Sequence, residues 1–476
     1  MQKKFISNLI LIILLNLLVK PFAIFGIDAG VQNRVSTEAY GLYFSLLNLS
    51  FIFNIITDLG INNFTTRNIA QYPKVMPKYF GKVLSFRLLL FVVYSLLTLT
   101  AGFVAGYRGE ALYFLSVLIF NQLLATLIGY LRSHFGGLLL FRTDALISVL
   151  DRLLLILFCG SALLMTKGQA FHIEWFIWLQ TAAYAVALIV AFYLLTRHVG
   201  LPKFSFSKPF SLAILRKSYP FALLFLLMML YTRSDSVLLE RLHPNGAFQS
   251  GIYAKGFRLL DAFYMFGMIF ANLLLPLFAR TLKDDRQKVL PVLKTAGKLL
   301  IGGSIFIAFL CHFNAKAILS AIYSSDITET ILPFQLIMWA FVGMSTSLIF
   351  GTLLTANGEL KLMNRFAGVG VIVNILLNVF LIPTYGAEGA AVACLITQTL
   401  MAISQLILCA YRFKINLRDL HLHNYLTFAA LLFGSSLLWF NSDFLLPLML
   451  FVGTIGLFLL RLIDVPTLIR TFRENN

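Results

Sequence analysis

Apolar runs of bilayer length fill this chain from one end to the other. A helix that crosses a membrane needs about 20 mostly apolar residues. Fourteen such runs can be read: 5–27, 38–60, 83–106, 110–130, 143–166, 172–196, 218–240, 250–279, 292–313, 331–355, 362–383, 387–411, 421–440 and 443–463. The polar connections between them are too short for a soluble domain. The predicted fold is therefore all-α, a polytopic membrane protein. The N-terminal stretch "MQKKFISNLILIILLNLLV" is close to a secretory signal, but Lys20-Pro21 interrupts its apolar run. No small-residue cleavage site follows, so it reads as a retained first span.

Composition agrees. Hydrophobic residues make up 59% of the 476 and charged ones 12%, against about 25% charged in soluble domains. The formal net charge of +18 could suggest nucleic acid, but the positions of the basic residues give another account. With the N-terminus placed inside, 28 of the 38 Lys and Arg fall in inner segments, among them Lys74, Lys78, Lys82, Arg197, Lys203, Lys208, Lys283, Arg286 and Lys288. Five fall outside: Arg34, Arg108, Lys167, Arg241 and Lys316. That is the positive-inside pattern, with both termini cytoplasmic and no need for a nucleic-acid partner. Cys159, Cys311, Cys394 and Cys409 lie in or beside apolar runs without a CxxC pair. They read as small hydrophobes rather than metal ligands or disulfides.

The remaining five basic residues fall inside spans: Lys20, Arg152, Arg233, Lys255 and Arg258, joined by Asp58, Asp151, Asp235 and Asp261. A charge at the bilayer centre costs about 3 kcal/mol, so nine facing lipid would cost roughly 27 kcal/mol. They must face one another or a wet cavity. At about 1.5 Å of rise per residue, Lys20, Arg233 and Lys255 each lie roughly 8 Å below the outer hydrocarbon edge and Arg258 roughly 12 Å. These four cations share one layer with fewer counterions, as an anion-receiving cavity would require. Plain ion pairing, Arg258 with Asp261 and Arg233 with Asp235, is the alternative. Asp151-Arg152 reads as structural, as does Asp58, capping a helix or pairing with Arg67.

An internal duplication is hinted at. "YGLY" at 40–43 and "SGIY" at 250–253 open spans 2 and 8 at an offset of 210, and Lys20 and Arg233 are offset by 213. The pattern fits an N-terminal lobe over 1–200, a second over 201–415, and two added spans with a tail over 416–476, around a central cavity.

Three stretches resemble the lipopolysaccharide and capsule repeat-unit flippases of the multidrug/oligosaccharidyl-lipid/polysaccharide exporter superfamily. They are "DLGINNFTTRNIAQ" (58–71), "RSDSVLLERLHPNGAFQSGIYAKGFRLLD" (233–261) and "NILLNVFLIPTYGAEGAAVACLITQ" (374–398), with Pro383 and Gly386 turning between helices in the last. The resemblance implies a non-enzyme in the bacterial inner membrane that works by alternating access. Its cargo would be an oligosaccharide on undecaprenyl pyrophosphate, moved between leaflets, with membrane lipid and polysaccharide polymerase machinery as partners. A lipid II flippase or a multidrug/cation antiporter of the same superfamily is the nearest rival. A membrane glycosyltransferase is disfavoured because the outer acids Asp28, Glu38, Asp326 and Glu329 form no catalytic pair. The superfamily includes sodium- and proton-coupled members. Asp235 with Asn374, Asn378 and Thr397 offers one carboxylate, two amides and a hydroxyl, a donor set suited to sodium. Interhelical hydrogen bonding by the two asparagines is the competing account.

Overall fold

A computed structural model describes residues 15–16, 18–72, 76–166, 171–202, 204–284, 289–420, 422–438 and 445–460. Lys74, Lys167, Lys203, Arg286 and Lys288 lie outside these. All regular structure among the described residues is helical. Nine helices there are long and apolar enough to cross a membrane. The fourteen spans expected are met by those nine, by the second arm of the longest, and by four shorter helices, the first of which lies partly outside the described residues.

The chain divides into two compact units, Met1–Gly251 and Ile252–Asn476. In the first, α1 runs through a π-helical turn at Ala23–Asp28 and ends at Gln32. Then come α2 (Thr37–Ile52), α3 (Ile61–Gln71), α4 (Met76–Val104), α5 (Glu110–Gly137), α6 (Phe141–Met165), α7 (Ile173–Val199), α8 (Lys208–Leu242) and the start of α9 (Gly246–Asp284). Ser36 caps α2, its hydroxyl accepting from the Ala39 N–H at 3.1 Å. Helices α1 and α6 lie parallel in a fixed register. Asn16 Nδ2 donates to Ser148 Oγ at 3.0 Å and Arg34 to the Thr166 carbonyl at 3.4 Å, both 132 residues apart.

Two places where side chains are absent fix how α2 meets its neighbours. A Cβ on Gly41 would collide with the Ala247 carbonyl oxygen, and one on Gly251 with the Thr37 carbonyl oxygen. Small residues let helix backbones approach in an apolar solvent, where packing and polar contacts must replace the hydrophobic effect. The polar contacts are present: Ser45 Oγ lies 2.8 Å from both the Ser236 carbonyl and Ser250 Oγ. The two related motifs of the sequence, around Gly41 and Gly251, thus meet at one seam.

At its other end α2 runs into a 3-10 turn at Asn54–Thr57, then bends through Leu59 and Gly60, both in the left-handed region (φ 45° and 78°). The bend releases α3 from the line of α2 and lays it against α5.

The second unit holds the rest of α9, α10 (Val289–Phe313), α11 (Ala315–Ile322), α12 (Ile327–Ala356), α13 (Leu360–Phe413), α14 (Leu422–Leu438) and α15 (Leu445–Leu459). Helix α13 is two spans in one run, broken at Gly386, whose φ of 52° and ψ of −128° suit only glycine. The break falls where the sequence places a turn. Helices α14 and α15 pack on α10 through Phe309, Phe428, Leu432 and Met449.

Candidate functional site

Lys20 leaves α1 beside α6. Arg152, Arg132 and Asp151 are the charges within its electrostatic reach. Arg132 Nε donates to Asp144 at 2.8 Å, and Arg152 lies 3.4 Å from Asp151 and 5.8 Å above the Tyr184 ring. Three cations and two carboxylates therefore gather in one place, with Lys20 and Arg152 half-buried. The Asp151-Arg152 pair belongs to this cluster.

Arg233 is half-buried on α8. Its Nη1 donates to Asn48 Oδ1 at 3.3 Å, and its guanidinium stands 5.6 Å above the Phe51 ring. Asp235, two residues on, is about 200° around the helix and fully buried. The two charges leave α8 in opposite directions.

Arg87, on α4, is only 3% exposed. Its Nη2 is ion-paired to Asp58 and donates to Asn62 Oδ1 at 2.8 Å. Its Nη1 donates to the Thr126 carbonyl at 2.9 Å, and its guanidinium lies 4.9 Å above Tyr130. Asp58 Oδ1 also accepts from the Asn62 N–H at 3.1 Å, so it caps α3 as expected. Its cationic partner is Arg87, however, and not the exposed Arg67.

Asp28, expected from the sequence as an outer acid just past a first span ending at 27, lies within a longer helix. The helix in fact continues to Gln32, and Asp28 is 7% exposed on the π-helical turn. The Tyr40 hydroxyl donates to its carboxylate. Gln32, one turn on, is buried with neither side-chain atom hydrogen-bonded. A π-turn, a buried carboxylate and an unsatisfied amide thus fall within two helical turns of one another.

In the second unit Lys255 is 2% exposed. Its Nζ lies 2.8 Å from the Ser325 carbonyl, 3.3 Å from Ser325 Oγ and 3.0 Å from Asp326 Oδ2. The Tyr323 hydroxyl donates to the Lys255 carbonyl at 3.0 Å. Three oxygens on one ammonium make a fastener between α9 and the segment that enters α12. Helix rise along the sequence places Lys255 in the cavity layer, but its charge is committed to that segment. Arg258 Nη1 lies 4.0 Å from Asp261, the i, i+3 pairing held open as the alternative.

Asn374, Asn378 and Thr397 come together from the two arms of α13, all fully buried. Asn378 Nδ2 donates to the Asn374 carbonyl at 3.0 Å and to Asn374 Oδ1 at 3.1 Å, and Asn374 Nδ2 reaches Thr397 Oγ1 at 3.5 Å. The trio supplies neutral oxygens of the kind sodium takes. The carboxylate needed to balance the charge, Asp235, belongs to the other unit. No cluster of three or more His, Cys, Asp or Glu capable of holding a metal occurs among the described residues.

A profile of the family described as polysaccharide biosynthesis protein matches residues 5–282. An uncharacterised membrane protein of Methanocaldococcus jannaschii is 26% identical over 385 residues, covering 76% of this chain and 88% of that one. The lipid II flippase MurJ, in an inward closed conformation, superposes with a TM-score of 0.71 at 14% identity, over 95% of this chain and 98% of that one. An inward-facing multidrug-resistance MATE transporter superposes at 0.64 with 15% identity, over 82% and 94%. The chain is a multi-pass integral membrane protein of the polysaccharide biosynthesis protein family, with the fold seen in MurJ and in the MATE transporter.

Proposed function

We propose that this protein flips an oligosaccharide carried on undecaprenyl pyrophosphate from the cytoplasmic to the periplasmic leaflet of a bacterial inner membrane, by alternating access. The observation that carries the reading is the concentration of cations within apolar helices: Arg233 on α8, and Lys20 with Arg132 and Arg152 against only two carboxylates. A pyrophosphate crossing bare hydrocarbon loses its hydration without replacement. Fixed guanidinium and ammonium groups replace that water, and arginine does so bidentately. The polyprenyl tail needs no such shelter and stays in lipid. Cargo contacts are Arg233, Lys20 and, once its pairing with Asp261 is exchanged for phosphate, Arg258. Both termini are cytoplasmic in this reading, and a polysaccharide polymerase acts on the product.

Coupling to an ion is part of the proposal. Sodium would draw on the oxygens of Asn374, Asn378 and Thr397; a proton would draw on the buried acid Asp28. A ligand drives such a cycle only through different affinities for its two states. A drug antiporter is disfavoured by the charge of these helices, since cationic drugs call for acidic surroundings. A lipid II flippase shares the pyrophosphate and differs in the glycan.

Proteoliposomes holding the purified protein and a fluorescent polyprenyl-pyrophosphate N-acetylglucosamine provide the test, with transfer read as protection from an external quencher. Transfer is expected to fall at least tenfold in Arg233→Ala. Equal transfer of the uncharged polyprenol, or an undiminished rate in Arg233→Ala, would overturn the reading.

A further inference from the structure

A cavity of about 390 Å³ lies in the first unit at the corner where α3, α4 and α5 meet, the end that the positive-inside pattern assigns to the cytoplasm. The volume is within the roughly 300–1,000 Å³ of small-molecule sites. Its walls are aromatic. Tyr72 and Tyr79 stand at the mouth, Tyr72 being 63% exposed, while Tyr130 and His134 form the floor.

Two polar features distinguish it from a packing defect. Thr65 lines the cavity at 6% exposure, and its hydroxyl has no partner in the protein. A buried hydroxyl left unpaired costs about 1–3 kcal/mol, a cost that a ligand would offset. His134 is also buried. Its Nδ1 is 2.9 Å from the Tyr130 carbonyl oxygen and, in the neutral ring, must donate to it. That leaves Nε2 as an acceptor. Asn68 adds an amide able both to donate and to accept.

Among the described residues, no lysine, arginine, aspartate or glutamate lines the cavity. The nearby Arg87 lies over the Tyr130 ring and is engaged by Asp58, Asn62 and the Thr126 carbonyl. Among the described residues a free phosphate would meet no counter-charge, and an acyl chain would leave Thr65, Asn68 and His134 unsatisfied. The chemistry that fits is an uncharged ring with one apolar face and several hydroxyls. Its face lies on a tyrosine ring while its hydroxyls meet the threonine, the asparagine and the imidazole.

We infer that this corner is a sugar subsite that takes a neutral pyranose. The inference rests on the flippase reading and deepens it: the cargo would be engaged by a sugar at the cytoplasmic end, separately from its pyrophosphate. Bend and site are connected, because the left-handed Leu59 and Gly60 lay α3 against α5, where Thr66 Oγ1 donates to the Ser133 carbonyl at 3.1 Å beside the cavity.

The test is saturation-transfer NMR on the full-length protein in nanodiscs, with methyl β-D-glucopyranoside and methyl N-acetyl-β-D-glucosaminide as probes and glycerol as control. Saturation of at least one glycoside is expected, well above glycerol. It should fall at least fivefold in Thr65→Val, which keeps side-chain volume, and in Tyr72→Ala, whose ring is largely exposed. Arg233→Ala should keep the signal while losing transfer in proteoliposomes. No saturation in the wild type, a glycerol signal as strong, or a signal unchanged by both variants would each overturn the subsite. Where saturation fails but Arg233-dependent transfer persists, the subsite is wrong and the flippase reading stands. Where saturation behaves as expected but transfer is absent, the flippase reading is what fails.

Discussion

Lys255 and Asp326 meet at 3.0 Å, and the ammonium takes two further oxygens from Ser325. The contact joins a buried position on α9 to the residue before α12, which adopts φ 51°. Removing one partner of a buried pair leaves the other uncompensated, at about 3–5 kcal/mol, and the part-exposed Asp326 puts this pair at the low end. Lys255→Met should therefore lower thermal stability in detergent by about 3 kcal/mol, and Lys255→Met/Asp326→Asn by less than the sum of the single changes. Additive losses in that cycle would show that the two residues do not act as a pair.

Arg87 is expected to tolerate no substitute. Its planar head serves Asp58, Asn62 and the Thr126 carbonyl at once, and a lysine cannot span them. Both Arg87→Ala and Arg87→Lys should lose about 3 kcal/mol or more and accumulate poorly in the membrane. The readout is monodisperse protein recovered on size exclusion. Near-normal recovery of Arg87→Lys would mean that charge alone suffices there.

Asp28→Asn should fold. The amide oxygen still accepts from Tyr40, so the loss is about 1 kcal/mol or less. What it removes is a titratable carboxylate on the π-helical turn. Proton coupling through Asp28 then requires that transfer measured against pH become flat in the variant while keeping a measurable rate. A pH profile identical to the wild type would exclude Asp28 as the proton carrier.

The seam between α2 and the start of α9 has no room for a methyl group at Gly41 or Gly251. Overpacking of this kind costs about 1–3 kcal/mol. Gly41→Ala should push the helices apart and favour an opened seam, read as a longer spin-label distance between cysteines introduced at Glu38 and Gln249. An unchanged distance with unchanged stability would mean that the backbone absorbs the methyl elsewhere.

Membrane orientation can be checked with single cysteines at described positions. An impermeant maleimide applied to intact cells should label Lys316→Cys and leave Arg142→Cys unlabelled until the membrane is opened. The reverse pattern would invert the topology.

Apolar run length and basic-residue placement, both visible along the chain, determined the helical class and the spans. Bilayer thickness and the cost of buried charge leave few alternatives for a chain of this composition. The turn at Gly386 was equally legible, because proline and glycine in close succession punctuate any helix. The sequence also drew attention to Asn374, Asn378 and Thr397, whose spacing puts them on facing arms. Tertiary structure alone decided which charges pair. Lys255 and Asp326 are 71 residues apart and Asp58 and Arg87 are 29 apart, separations that helical periodicity does not relate. Depth estimates along single helices put Lys20 in a layer with Arg233, but its neighbours are set by the register of α1 against α6. Asp28 was misread for a smaller reason: a π-helical turn extends α1 beyond the apolar run, and no hydropathy pattern records that extension. The cavity beneath α3 depends on a bend at Leu59 and Gly60 that brings three separate helices together, so nothing local in the sequence announces it.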